Sequence, residues 1–152
     1  MSRRSRAEAM RELLAESRGL SGDFDRLSQA VAEQVSLSPT ELLAIDLIST
    51  AGSMSAGELA RELRLTTGAI TGLVDRLEKA GFARRTPDAN DRRRVLVQAT
   101  SKERKISEMY APLEASLRRA IEDYSERDLD TLTDFLKRLR RVVADTTSKL
   151  PR

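Results

Sequence analysis

Between Ser55 and Thr100 the chain changes its hydrophobic period, and that change limits the folds open to it. Up to Leu77 apolar residues return at helical steps: Leu59, Ala60 and Leu63 in one short segment, then Ile70, Leu73, Val74 and Leu77 in the next. From Phe82 the period falls to two. Residues 82–86 and 95–98 read as strands, and the intervening PDANDRRR carries the Pro, Asp and Asn that bias a connection toward a turn. Gly81 separates the two regimes, at the place where a helix reverses through a left-handed residue. Ser55 with Glu58 forms a capping box for the first helix, and Thr66 caps the second after the turn Leu65-Thr66-Thr67. A two-stranded hairpin is marginal alone, so this one must lean on the helices before it.

The flanks are helical. Residues 6–17 are rich in strong helix formers, Gly19 and Gly22 then weaken the pattern, and Leu20, Phe24, Leu27, Val31 and Val35 lay a stripe on a second piece. The two pieces read either as one kinked helix or as a helix with a frayed start. Ser38-Pro39-Thr40-Glu41 is a sharp helix start, with a capping box around a proline whose missing N–H costs nothing there. The helix that follows, with Leu42, Leu43, Ile45, Leu47 and Ile48, is apolar over most of its circumference and belongs in the centre of the domain. Thr100 with Glu103 reads as a further capping box, opening a helix to about residue 124 with Pro112 inside it. Ser125 with Asp128 opens the last helix, where Leu129, Leu132, Leu136, Leu139 and Val143 form a coiled-coil seam of about two heptads. The seam packs on the first helices of its own chain, on a second copy, or on both.

Composition removes several chemistries. There is no Cys and no His, so disulfides, thiol redox sensing, Cys/His metal sites and a His general base are excluded. The acids are scattered over helix faces with no convergent cluster, which argues against an enzyme, and no cofactor or metal is expected. No apolar run reaches the length of a membrane span, and the N-terminus lacks the apolar centre of a signal peptide, so the expected location is cytoplasmic.

What remains is charge and its placement. Thr66 to Arg94 holds seven basic and four acidic residues, a surplus of three, which equals the net charge of the whole chain. That concentration suits a polyanion. With Ile70, Leu73, Val74 and Leu77 turned inward, Thr67, Gly68, Thr71, Gly72, Asp75, Arg76 and Lys79 face outward. Thr67 and Thr71 suit phosphates, base edges or thymine methyls, and the amides beyond the Thr66 cap suit a phosphate. A helix pair followed by a basic hairpin is the arrangement of a winged helix-turn-helix, which holds duplex DNA.

The string LARELRLTTGAITGLVDRLEKAGFARRTPDANDRRRVLVQAT, with its Leu73-Val74-Asp75-Arg76-Leu77-Glu78 and its Asp88…Asp91-Arg92-Arg93, resembles the MarR family of bacterial transcription regulators. The resemblance implies a mainly α fold with a small β-hairpin wing: a winged helix-turn-helix core over residues 36–100, flanked by dimerisation helices at 1–35 and 101–152. It implies a homodimer on a pseudo-palindromic operator, with the third helix in the major groove and the wing in the minor groove. Carried over by position, Thr66, Thr67, Gly68 and Thr71 are reading positions and Arg76 a phosphate or base contact. Asp91 orients a wing arginine, with Arg92, Arg93 and Arg94 as the DNA-facing set. Leu129, Leu132, Leu136, Leu139 and Val143 fall in the dimerisation region. Gly68 and Gly72 depart from the Ser and Arg often found there, and Asn90 replaces a frequent wing arginine. The resemblance further implies a repressor released by a small aromatic ligand, in a crevice lined by Phe24, Leu27, Val31, Leu43, Leu47, Met109, Tyr110 and Leu113. The competing expectation is an architectural DNA-binding protein with broad sequence tolerance and no effector.

Overall fold

The computed structural model describes residues 5–89, 91 and 94–150. Its elements run α1 (Arg6–Gln34), α2 (Pro39–Ala51), β1 (Met54–Ser55), α3 (Ala56–Leu63), α4 (Thr67–Lys79), β2 (Ala83–Pro87), β3 (Val95–Ala99), a 3₁₀ turn (Ser101–Glu103), α5 (Arg104–Ala120) and α6 (Glu126–Lys149). The chain divides into two compact units, one ending at Ile106 and the other beginning at Ser107.

In the first unit α1 is one continuous helix of 29 residues, the single-helix alternative of the two that the sequence leaves open. Glycine in a helix interior costs roughly 1 kcal/mol relative to alanine, and neither Gly19 nor Gly22 departs from helical backbone. The Ser5–Glu8 capping box, a signal absent from the sequence reading, starts the helix. Only its C-terminal end enters the core, through Val31 and Ala32. Ser38 and Glu41 cap α2 reciprocally, with Pro39 in the first turn. Leu42, Ala44, Ile45 and Ile48 of α2, Leu59 of α3 and the row Ile70, Leu73, Val74 and Leu77 of α4 are all buried and make up most of the core. Those four α4 residues are the ones its helical spacing predicts. Gly81 takes φ +78°, the left-handed turn that delivers the chain from α4 to β2.

The sheet has three strands in the order β1-β3-β2. The β2–β3 hairpin pairs Ala83 with Ala99 through to Pro87 with Val95. On the other edge of β3, the two-residue β1 pairs Met54 with Val97 and Ser55 with Leu96. Phe82, Ala83 and Val97 turn inward and give the hairpin the support it requires.

The box foreseen at Thr100 and Glu103 does not form. The Thr100 hydroxyl accepts from Lys102 N–H at 3.2 Å and donates to the Gly81 carbonyl at 2.7 Å. The Glu103 carboxylate is instead taken by the Ser49 hydroxyl of α2. A long-range partner outcompeted the local cap, and a 3₁₀ turn precedes α5.

In the second unit Pro112 lies inside α5, which continues to Ala120. The Ser125–Asp128 capping box opens α6 as its sequence predicts. On α6, Leu129 and Leu139 are half-buried, while Leu132, Leu136 and Val143 are exposed.

Candidate nucleic-acid interface

Thr66 sits in extended backbone before α4, and its hydroxyl accepts from Ala69 N–H at 3.3 Å. Because α4 commits one face to the core, Thr67, Gly68, Ala69 and Thr71 stand exposed on its first turns. The Thr71 hydroxyl donates to the Thr67 carbonyl at 2.9 Å, leaving its methyl and lone pairs outward. A Cβ at Gly68 would meet nothing within 4 Å. No packing constraint among the described residues accounts for glycine there, and its effect is to leave the surface of α4 low.

Three arginines around α4, Arg76, Arg85 and Arg94, are held by carboxylates. Arg76 Nε donates to Glu41 Oε1 at 2.6 Å, although 64% of the arginine side chain remains exposed. Arg85 is ion-paired with Asp75 at 2.8 Å and with Glu78, whose carboxylate also accepts Arg85 N–H at 2.8 Å. Arg94, at the end of the wing loop, reaches Glu58 of α3 at 3.5 Å and Asp88 at 3.8 Å. Arg84 Nη2 donates to the Gln98 side chain at 3.2 Å across the hairpin. Such partly exposed pairs contribute roughly 0–1 kcal/mol each, so they orient the arginines more than they stabilise the fold.

The loop itself is closed by two backbone bonds, Asp88 N–H to the Arg94 carbonyl at 2.9 Å and Arg94 N–H to the Asp91 carbonyl at 2.8 Å. Arg92 and Arg93, expected in the DNA-facing set, and Asn90 lie outside the described residues. Among the expected contacts, Thr66, Thr67, Gly68, Thr71 and Arg76 therefore share α4 and its cap, while Asp91 and Arg94 stand at the loop. The residues expected to take an effector divide between the units. Phe24, Leu27, Val31, Leu43 and Leu47 are on α1 and α2, and Met109, Tyr110 and Leu113 are on the part of α5 beyond Ser107.

Four further residues matter here through partners that local spacing does not reveal. Glu41 and Glu58 were legible as helix caps, but their second partners lie far along the chain, 35 residues away for Glu41. Glu78 and Lys102 carried no local signal. Lys102 Nζ donates to the Ala80 carbonyl at 2.6 Å and stands 4.4 Å from the Phe82 ring centroid, so it closes the C-terminal end of α4.

Glu41 also sets a pH dependence. Burial pushes its carboxyl upward, but Ser38 N–H and the Arg76 guanidinium outweigh this and hold it below the ordinary value of 4.5. A carboxyl depressed on folding stabilises the native state above its unfolded pKa, and that contribution is lost as pH falls through the folded value. The urea midpoint is therefore expected to hold from pH 7 to about 5 and to fall below 4.5. Glu41→Gln should make the fall shallower; an unchanged acid limb would assign it to the other depressed capping carboxylates, Glu8 and Glu58.

Among the described residues no group of His, Cys, Asp and Glu could hold a metal, and no helix is long and apolar enough to cross a membrane.

Known proteins share this arrangement. The sequence pattern of the MarR family matches residues 37–95. YcgE of Bacillus subtilis, an uncharacterised HTH-type transcriptional regulator, is 36% identical over 149 residues, 97% of either chain. A MarR family protein from Bacillus stearothermophilus superposes with a TM-score of 0.70 at 21% identity, over 93% of this chain and 99% of that one. NadR, crystallised with 4-hydroxyphenylacetate, superposes with a TM-score of 0.61 at 22% identity, covering 91% and 97%.

Proposed function

Since the chain belongs to the MarR family of DNA-binding transcriptional regulators, which are not enzymes, we propose that it works as a homodimeric repressor released by a small aromatic ligand. The observation that carries the DNA mode is α4: its apolar row is consumed by the core, and Thr67, Gly68 and Thr71 stand outward beside a basic hairpin. In this reading α4 enters the major groove, the wing places Arg92 or Arg93 in the minor groove, and Asp91 orients that arginine. Arg94 serves the wing through Glu58 and Asp88. The seam of α6, with Leu132, Leu136 and Val143 exposed and Leu129 and Leu139 half-buried, supports dimerisation. Two copies related by a twofold axis select a pseudo-palindromic operator with half-sites about 10 bp apart.

Titration on a duplex selected from a randomised pool and on its scrambled counterpart tests the reading. A regulator prefers the selected duplex by a thousandfold or so; equal affinities with equal salt slopes would leave the architectural reading, which the open surface over Gly68 favours. Arg93→Ala is expected to weaken operator binding by about 1–3 kcal/mol, and unchanged affinity at physiological salt removes it from the groove.

For the ligand, the support is apolar surface left outside the core: Phe24 is 44% exposed and Leu43 49%. The 4-hydroxyphenylacetate bound by NadR is an aromatic acid of the class proposed. A releasing ligand must bind the free protein better than the DNA complex, by the factor by which DNA weakens the ligand. Equal ligand affinity in both states would sink the release mechanism.

A further inference from the structure

Arg76 leaves α4 one turn after Gly72 and folds back along the helix, so that its Nη1 lies 3.5 Å from where a Cβ at Gly72 would stand. Its Nε is spent on Glu41 Oε1 at 2.6 Å, with 64% of the side chain still exposed. Arginine has five N–H groups in a rigid fork, so fixing Nε leaves four on the two terminal nitrogens and sets their direction. The holder is itself fixed. Glu41 is 7% exposed, lies in the first turn of α2 and accepts Ser38 N–H at 2.8 Å.

From this geometry we propose that Glu41, with the space left by Gly72, aims the Arg76 guanidinium at the duplex alongside the N-terminal half of α4. Glu41 is thereby a positioning residue for DNA selectivity as well as a helix cap. The inference rests on α4 being the DNA-reading helix. A pre-aimed guanidinium surrenders less rotamer freedom when it meets the duplex it fits. The Glu41 charge opposes every duplex alike and so cancels from the ratio of affinities, leaving the aiming of Arg76 as its contribution to selectivity. Gly72 is the permissive half of the device: a methyl group fits at ordinary contact distance, whereas a longer side chain takes the place of Nη1.

The experiment measures the ratio of affinities for the duplex selected by the wild-type protein and for its scrambled counterpart, at one salt concentration. Glu41→Ala is expected to lower this ratio about tenfold, and Glu41→Gln about threefold, because glutamine retains an acceptor for Ser38 N–H but offers Arg76 only a neutral oxygen. The glutamine variant carries the test if the alanine one does not fold. Arg76→Lys should lower the ratio while leaving the salt slope unchanged, since the charge is kept and the fork is lost. In an Arg76→Ala background, Glu41→Gln should leave the ratio within about twofold. A role confined to stability would move the thermal midpoint of Glu41→Gln and spare the ratio. The proposal is overturned by an unchanged ratio in Glu41→Gln, or by an equal fall without Arg76. A wild-type protein that selects no sequence from the pool overturns the reading of α4 itself, before any variant is made.

Discussion

Phe82→Ala is expected to lower the unfolding free energy of the first unit by about 3–5 kcal/mol, the cost of truncating a buried phenylalanine without collapse of the site. Phe82 is 1% exposed and among the largest fully buried side chains. Its backbone is held at both ends, with N–H donating to the Leu77 carbonyl and the carbonyl accepting from Thr100 N–H, each at 2.9 Å. The surrounding chain therefore has little freedom to fill the hole. The Lys102 ammonium over the ring adds about 0.5–1 kcal/mol that alanine cannot supply. Against a typical total of about 5–15 kcal/mol, this is a large fraction. Urea unfolding followed by circular dichroism provides the measurement, and a loss below about 1 kcal/mol would contradict the packing. DNA binding should fail in parallel with folding, because Phe82 connects α4 to the wing.

Leu136→Lys is expected to give monomers in sedimentation and to weaken operator binding by about a hundredfold or more, as the second half-site loses its linked partner. Leu136 is already 50% exposed within one chain, so an ammonium there disturbs little in the isolated protomer. In the proposed twofold interface the same residue would meet its symmetry-related neighbourhood, and burying two ammonium groups there would oppose association. The far-ultraviolet spectrum should be unchanged. A dimer of wild-type mass would place the interface elsewhere than the seam of α6.

Local rules made much of the first unit legible. The buried row of α4 follows from steps of three and four residues, and the caps Ser38, Ser55, Thr66 and Ser125 from side chains that meet amides three positions on. Gly81 declares its turn because the backbone there takes positive φ. The misses share a cause. Glu103 was read as a cap and bonds Ser49, 54 residues away, and β1 is too short for any alternation to register. Gly19 and Gly22 suggested a break that a 29-residue helix absorbs. At the candidate interface the sequence places the arginines in one region, but not that Arg76, Arg85 and Arg94 are each steered by a carboxylate. Spacing reports neighbours within a turn or a strand, and these pairings are set by how elements pack.

Ser55 ends strand β1, where it pairs with Leu96, and in the same position caps α3 through Glu58, which also takes Arg94. One residue thus belongs to the wing sheet and to the first helix of the reading pair. A hairpin anchored only at its base would swing like a flag; this one is welded to the helix beside it. The base of the hairpin and α3 are thereby tied together at Ser55 and through the Glu58–Arg94 ion pair. Under the proposed release by a ligand, the expected movement is therefore a shift of wing base and helix together, changing the spacing between two copies more than the angle of the wing to α3.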